Sequence, residues 1–374
     1  MSRASSSGES TRQEHGVRPE WKGKLLRMTS IRDLLGIELP IIQAPMAGVQ
    51  GSALAVAVSE AGGLGSLPCA MLALDAMRAE LDAIIAGTAR PFNVNFFCHS
   101  VPVPDLERES AWRNALRPYY DELGIDVSSV PPVAARASFS HETADVLSDS
   151  KPSVVSFHFG LPPDDLLQRV RSWGTKILAS ATTVDEARWL EARGVDAIIA
   201  QGLEAGGHRG IFLSEDLTTQ VGTFALVPQI VRAVRVPVVA AGGIAAAAGV
   251  AAAMALGAAG AQIGTAYLLC PEATTSAVHR TALAGDAARH TALTNVFTGR
   301  PARAIVNRLM REIGPISGIA PQFPLAIAAI LPLRASAEAQ GTGDFSPLWA
   351  GQNASGCKEI PAAELTRELV DTVT

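Results

Sequence analysis

Cysteine and charge are both scarce in this chain. Only four of its 374 residues are cysteine and 18% are charged. Cys69, Cys98, Cys270 and Cys357 lie far apart and form no C-x-x-C pair, which argues against zinc and iron–sulfur sites. The N-terminus, MSRASSSGESTRQEHG, lacks the apolar stretch of a signal peptide, so reduced thiols and a cytoplasmic location are expected. The net charge is −5 with both signs mixed along the chain, and no basic stripe or aromatic–basic interleaving occurs. A nucleic-acid partner is therefore not expected. Charge is missing altogether from Val236 to Pro271, a run long enough to cross a bilayer. That run is mostly alanine and glycine, which carry little transfer energy, and it contains Pro237, Gly242-Gly243 and Gln262. It reads as a strand–helix–strand unit enclosed by neighbours, not a membrane span.

What the chain has is apolar residues, at 48%, enough for one large α/β domain with an appendage. Residues 1–28 read as a polar, disordered tail. Short β-rich runs then alternate with helical runs, with glycine or proline at the joins, which is the pattern of βαβ units. Eight strands are expected, beginning near Pro40, Gly63, Phe92, Ser153, Lys176, Asp196, Pro237 and Ala261. The helix in TVDEARWLEARG is well marked. Thr183 and Glu186 form a capping box, Ala187, Leu190 and Ala192 an apolar stripe, and Gly194 a C-terminal cap. An open doubly wound sheet would need a G-x-G-x-x-G fingerprint after the first strand, and APMAGVQGS is not one. The expected fold is an α/β (β/α)8 TIM barrel over 29–274. Residues 275–348 are expected to form an inserted helical subdomain over the barrel mouth, and 349–374 to return to the barrel.

Sites in such barrels lie at the C-terminal strand ends. Those ends carry Ala44, Pro45 and Met46; Asn93 and Asn95; His158; Ser180 and Thr182; Gln201, leading into QGLEAGGHRG with His208; Gly242-Gly243; and Gln262, Gly264 and Thr265. Glycine turns after the last two strands let backbone N–H groups approach an anion with no Cβ in the way, where such barrels bind phosphate. A plain pair of tight turns is the alternative. Asp, Glu and Lys are nearly absent from these ends, which disfavours a carboxylate-held metal or a Schiff-base lysine. Amides, hydroxyls and histidines on an apolar floor suit a flat, uncharged ring with a phosphate tail, and flavin mononucleotide (FMN) fits that description.

PIIQAPMAGV, FNVNFF, SFHFG, AQGLEAGGHRG, VVAAGGI, AQIGTA and FTGRPARAIVN together resemble the nitronate monooxygenase family, formerly called 2-nitropropane dioxygenases. The resemblance runs from about residue 36 to residue 365. Its EAGGH element also occurs in FMN-dependent enoyl-acyl-carrier-protein reductases. The resemblance implies FMN as cofactor. Ala44, Pro45 and Met46 would line the ring, and Asn95 and Gln201 would reach its polar atoms or the ribityl chain. Gly206, Gly207, Gly242, Gly243 and the run Gln262, Ile263, Gly264, Thr265 would hold the phosphate end. Ser180 stands where some relatives place lysine, which leaves its cofactor contact open. His208 matches the family's catalytic histidine. The implied reaction oxidises alkyl nitronates, or nitroalkanes, with O2 to carbonyl compounds and nitrite. An NAD(P)H-dependent FMN reductase of enoyl thioesters or quinones is the alternative, and a flavin-binding protein without turnover is a third reading that the two histidines count against. The expected partners are the small-molecule substrate and O2, with a homodimer left open.

Several residues keep two readings. His208 is a base for a nitroalkane α-proton, a stabiliser of a nitronate anion, or a solvated loop histidine. His158 is a second catalytic group, a tuner of His208, or a buried histidine satisfied by backbone. Glu204 orients a loop N–H or amide, and Arg209 neutralises substrate or faces solvent. Arg300, Arg303 and Asn307 clamp the lid or form salt bridges. Trp349, Gly351 and Gln352 close over the flavin edge or simply pack.

Overall fold

The computed structural model describes residues 30–126 and 138–371. The expected N-terminal tail lies outside the described residues. Eight parallel strands form one sheet: β1 (Ile41–Gln43), β2 (Gly65–Pro68), β3 (Phe92–Phe97), β4 (Val154–His158), β5 (Lys176–Ala181), β6 (Ala197–Gln201), β8 (Val238–Ala241) and β9 (Gly260–Ile263). Their order is β1-β9-β8-β6-β5-β4-β3-β2. The sheet closes where Ile42 bridges Leu64, with Gln43 N donating to Leu64 O and Leu64 N to Ile41 O, both at 2.9 Å. The result is the expected (β/α)8 barrel.

The strands are buried on both faces, which is why they read as continuous apolar runs. Ile42, Val154, Leu178, Ile199 and Val239 fill the interior, and the short helix α1 (Ile31–Leu35) plugs its floor. A polar layer crosses one wall. Asn93 Nδ2 donates to Ser66 Oγ (3.0 Å) and Ser156 Oγ (2.9 Å), and Asn95 Nδ2 donates to Ser156 Oγ (2.9 Å). Outside the sheet run α2 (Ser52–Glu60), α3 (Leu74–Gly87), α4 (Leu106–Glu122), α5 (His141–Ser150), α6 (Asp164–Ser172), α7 (Val184–Ala192), α8 (Thr223–Ala233) and α9 (Ala247–Ala255).

Helix α7 begins as its sequence predicts, with Thr183 accepting from Glu186 N at 3.2 Å, and Gly194 is left-handed at φ +76°. Two details differ. Ala192 is exposed. The Glu186 carboxylate does not reach back to Thr183; it accepts from Thr182 N (2.7 Å), Thr182 Oγ1 (2.7 Å) and Phe212 N (2.7 Å). The acid thus ties the end of β5 to the loop after β6, because buried N–H groups there need an acceptor.

The eighth unit is split. After β9 come α10 (Ala277–Ala284), β10 (Thr291–Thr294), β11 (Ala302–Ile305), α11 (Arg308–Glu312) and α12 (Ile327–Ala339), then α13 (Ala362–Glu368). Leu365 of α13 packs with Ile41, Leu54 and Val58, and Tyr267 Oη lies 2.9 Å from Thr366 Oγ1. The 275–348 segment is not purely helical. β10 and β11 form an antiparallel ribbon, and β11 pairs with a two-residue strand, β7 (Gly207–His208). Four-residue strands are too short to show a period, so the sequence did not reveal them. Trp112, Leu116 and Tyr120 of α4 join Ile330, Leu333 and Phe345 in a second core, so the segment after β3 also builds the insertion.

Candidate active site

A cavity opens at the C-terminal end of the barrel. Among the described residues no Asp, Glu, Lys or Arg lines it. Its two sides are built differently.

The first side is backbone. Gly207, Gly242 and Gly243 have φ of +71°, +120° and +72°, conformations that a Cβ disfavours. A Cβ on Gly242 would lie 2.9 Å from Thr223 Oγ1 and 3.0 Å from Ala205 N. One on Gly206 would lie 2.6 Å from the backbone of Ala350 and Gly351. Among the described residues, the N–H groups of Gly243 and Gly264 meet no protein acceptor. Gln262 Oε1 is buried with no partner. A strap from the chain's end crosses here: Gly351 N donates to Thr265 Oγ1 (2.9 Å) and Asn353 Nδ2 to Gly243 O (3.0 Å). Glu204 accepts from Thr223 N and Thr223 Oγ1, both at 2.8 Å, which fixes the start of α8.

The second side is made of rings. His208 Nε2 lies 2.9 Å from Thr298 Oγ1. The His208 ring stands 5.2 Å from Phe323, 5.4 Å from Trp349 and 6.1 Å from Phe97, measured between centroids. Pairing of β7 with β11 places this loop, Ala302 opposite His208 and Arg303 opposite Gly207. The His208 carbonyl accepts from Gln201 Nε2 at 3.0 Å and lies 3.2 Å from His158 Nε2. His158 Nδ1 lies 3.0 Å from Ser180 Oγ. Burial pushes the His158 pKa down to about 3, and the Arg300 and Arg209 charges add to that.

Of the residues expected at the site, Ala44, Pro45, Met46, Asn95, His158, Ser180, Gln201, Gly206, Gly207, His208, Gly242, Gly243, Gln262, Gly264 and Thr265 line the cavity. Ile263 does not; fully buried, it packs with Ile41 and Val250 on the helix side of the sheet. Asn93 is spent in the polar layer and Thr182 on Glu186. Gln201 faces the cavity but its amide is engaged, since Oε1 accepts from Gly210 N at 2.7 Å while Nε2 holds His208. Arg209 neither faces solvent nor reaches the cavity. It is 0% exposed, and it donates to Gln220 Oε1 (3.0 Å), Gly202 O (2.7 Å) and Gln201 O (2.8 Å). Desolvation lowers its pKa to about 10.

Arg303 likewise binds carbonyls, Leu203 O at 2.9 Å among them, and Arg300 binds Ile211 O while lying 4.0 Å over the Phe159 ring. Asn307 caps α11 and holds Gly343 O and Ser346 O. These three clamp the insertion without an ion pair to any described carboxylate. Trp349 and Gly351 line the cavity, whereas Gln352 is exposed and contributes only its N–H, to Glu204 O at 2.9 Å.

Sequence reasoning missed Phe97, Met71, Thr298, Phe323, Asn353 and His279. Phe97 was within reach, being the last residue of β3. Nothing local marks Phe323 or His279, which arrive from the insertion. His279 lines the cavity, its Nε2 is buried with no partner among the described residues, and desolvation lowers its pKa to about 4.

The family model for nitronate monooxygenase matches residues 28–372. A nitronate monooxygenase of Pseudomonas aeruginosa is 44% identical over 344 residues, 90% of this chain and 97% of that protein. The crystal structure of a nitroalkane oxidase from Streptomyces ansochromogenes superposes with a TM-score of 0.83 at 41% identity, covering 91% of this chain and 96% of that one. FabK from Thermotoga maritima superposes with a TM-score of 0.68 at 29% identity, covering 92% and 96%. The chain belongs to the nitronate monooxygenase family of oxidoreductases.

Proposed function

We propose that this chain oxidises alkyl nitronates, and nitroalkanes once deprotonated, using FMN and O2 and releasing a carbonyl compound and nitrite. One observation carries the reading: among the described residues, a cavity lined by no Asp, Glu, Lys or Arg has a histidine on one side and glycine N–H groups without a protein acceptor on the other. The fit to FMN rests on those N–H groups, on the buried, unpartnered Gln262 Oε1, and on the Gly206 and Gly242 positions, where a side chain would have no room. Gly243, Gly264 and Thr265 would hold the phosphate, with N–H dipoles in place of a cation. Ala44, Pro45 and Met46 would hold the ring. Bound FMN would supply the electron acceptance and the reaction with oxygen.

The protein's share is orientation and proton handling. His208 takes the α-proton of a neutral nitroalkane, while for a preformed nitronate it needs only to steer the anion. Phe97, Phe323 and Trp349 surround the His208 ring and would exclude water from a substrate held beside it. A second reading, an NAD(P)H-dependent reductase of enoyl thioesters or quinones, would use the same cavity, because Glu204–His208 spells the EAGGH element common to both. Heat release and mass analysis of the bound cofactor should return FMN, and aerobic turnover of propyl nitronate should yield nitrite and aldehyde. Recovery of a different cofactor, or no nitrite, sinks the proposal.

A further inference from the structure

We infer that Ser180 and His158 form a positioning pair for the base-bearing loop, in which Ser180 Oγ–H donates to His158 Nδ1 and His158 Nε2–H donates to the backbone carbonyl of His208. The inference rests on the reading of His208 as the base.

The direction of each hydrogen bond follows from the chemistry of its ends. The His208 carbonyl can only accept, so His158 Nε2, 3.2 Å away, must carry a proton. A buried neutral imidazole then has a lone pair on Nδ1, and Ser180 Oγ at 3.0 Å is its donor. The surroundings keep the ring neutral. The Phe159 and Phe97 ring centroids lie 4.5 Å and 5.8 Å away, and the charged groups that bear on it, Arg300 and Arg209, are both cations. Both ring nitrogens are thereby spent, so His158 cannot exchange a proton with substrate while the pair stands.

The pair acts with Gln201, whose Nε2 shares the same carbonyl and whose Oε1 takes Gly210 N. The loop is thus gripped on both sides of Arg209. There is no room for slack: a Cβ on Gly210 would come within 2.9 Å of His158 Cε1 and 3.2 Å of Ser180 Cβ.

His158→Gln places an N–H donor near the Nε2 position and keeps the grip; His158→Leu removes it. With cofactor content and circular dichroism as controls, His158→Gln should keep neutral-nitroalkane kcat within about threefold of wild type. His158→Leu should lose at least about tenfold in kcat on that substrate, with far less loss on preformed nitronate. Equal loss in both variants would make His158 a proton-transfer group, and no loss in either would remove its role; both overturn the inference. If His158→Leu does not fold, His158→Gln alone decides by the same threefold limit. A readout independent of turnover is histidine-selective 15N NMR of the wild type. His158 should show the neutral Nε2–H tautomer from pH 8 down to pH 5. An Nδ1–H tautomer, or titration near the ordinary histidine value, contradicts the pair even where the enzyme consumes nitronate. Absence of nitronate turnover with the Nε2–H tautomer intact would instead count against the proposed function alone.

Discussion

The two sides of the cavity solve the same problem, holding groups still, by opposite means. The glycine side uses chain conformation: Gly207, Gly242 and Gly243 sit at positive φ, and the N–H groups of Gly243 and Gly264 meet no acceptor among the described residues. The ring side uses tertiary partners. Thr298, Phe323 and Trp349 reach His208 from segments about 90 to 140 residues further along the chain. Conformation is written locally and can be read from a glycine pair. Partnership is written across the fold and cannot. The sides should therefore fail differently when altered.

The largest effect is expected on the ring side. His208→Ala should slow oxidation of a neutral nitroalkane by about 10²- to 10⁴-fold, the usual worth of a positioned base, and slow oxidation of preformed nitronate far less. Steady-state assays of both substrates check this, and equal losses would remove the base role. Next is the buried cation behind the loop. Arg209→Met leaves the Gln201 and Gly202 carbonyls without their donor and should cost about 2–4 kcal/mol of stability in denaturant unfolding. A cost under about 1 kcal/mol would show that the loop relaxes around the loss.

On the glycine side, Gly242→Ala forces a Cβ into the φ +120° region against Thr223 Oγ1. It should cost about 1–3 kcal/mol and weaken cofactor binding about 10- to 100-fold, read by flavin titration. Its turnover with cofactor in excess should fall less than that of His208→Ala. The reverse order would mean that the two sides do not divide the work.

The pH dependence is a smaller effect, with a sign set by burial. His158 and His279 have folded pKa values of about 3 and about 4, below the ordinary histidine value of about 6.5. Below that value the unfolded chain binds protons that the folded chain refuses, so unfolding becomes easier as pH falls. Stability should be flat with respect to these groups above pH 7. Between about pH 6.5 and 4 it should fall by up to roughly 1.4 kcal/mol per pH unit for each group. Denaturation midpoints across that range test it, and His279→Gln should halve the slope. The smallest effect is expected at Gln352, whose exposed side chain makes no hydrogen bond among the described residues and whose backbone N–H alone holds Glu204 O: Gln352→Ala should change turnover by less than about twofold.

The same division decides what was legible in the sequence. Eight largely apolar runs with glycine or proline joins placed all eight barrel strands, because a parallel strand buried on both faces is mostly apolar, its few polar side chains paired with one another as Asn93 is with Ser66 and Ser156. Gly242-Gly243 and Gln262–Thr265 located one side of the cavity for a local reason, the turn after a strand. Ile263 misled because alternate residues of a strand point to opposite faces, and its neighbours Gln262 and Gly264 face the cavity instead. Arg209 misled because its charge suggested solvent or substrate, whereas two carbonyls and an amide stabilise it inside. The ribbon of β10 and β11 was invisible for want of length. With it went Thr298 and the reason His208 stays in place.

The proposed function requires that the cavity join a nitronate to an oxygen-dependent flavin reaction, not to a nicotinamide-driven one. The direct measurement is flavin absorbance without oxygen, on mixing the purified protein loaded with FMN first with propyl nitronate and, separately, with NADH. The expected result is bleaching by the nitronate, recovery of colour on admitting air, and no bleaching by NADH on the same timescale. Bleaching by NADH with none by the nitronate would contradict it.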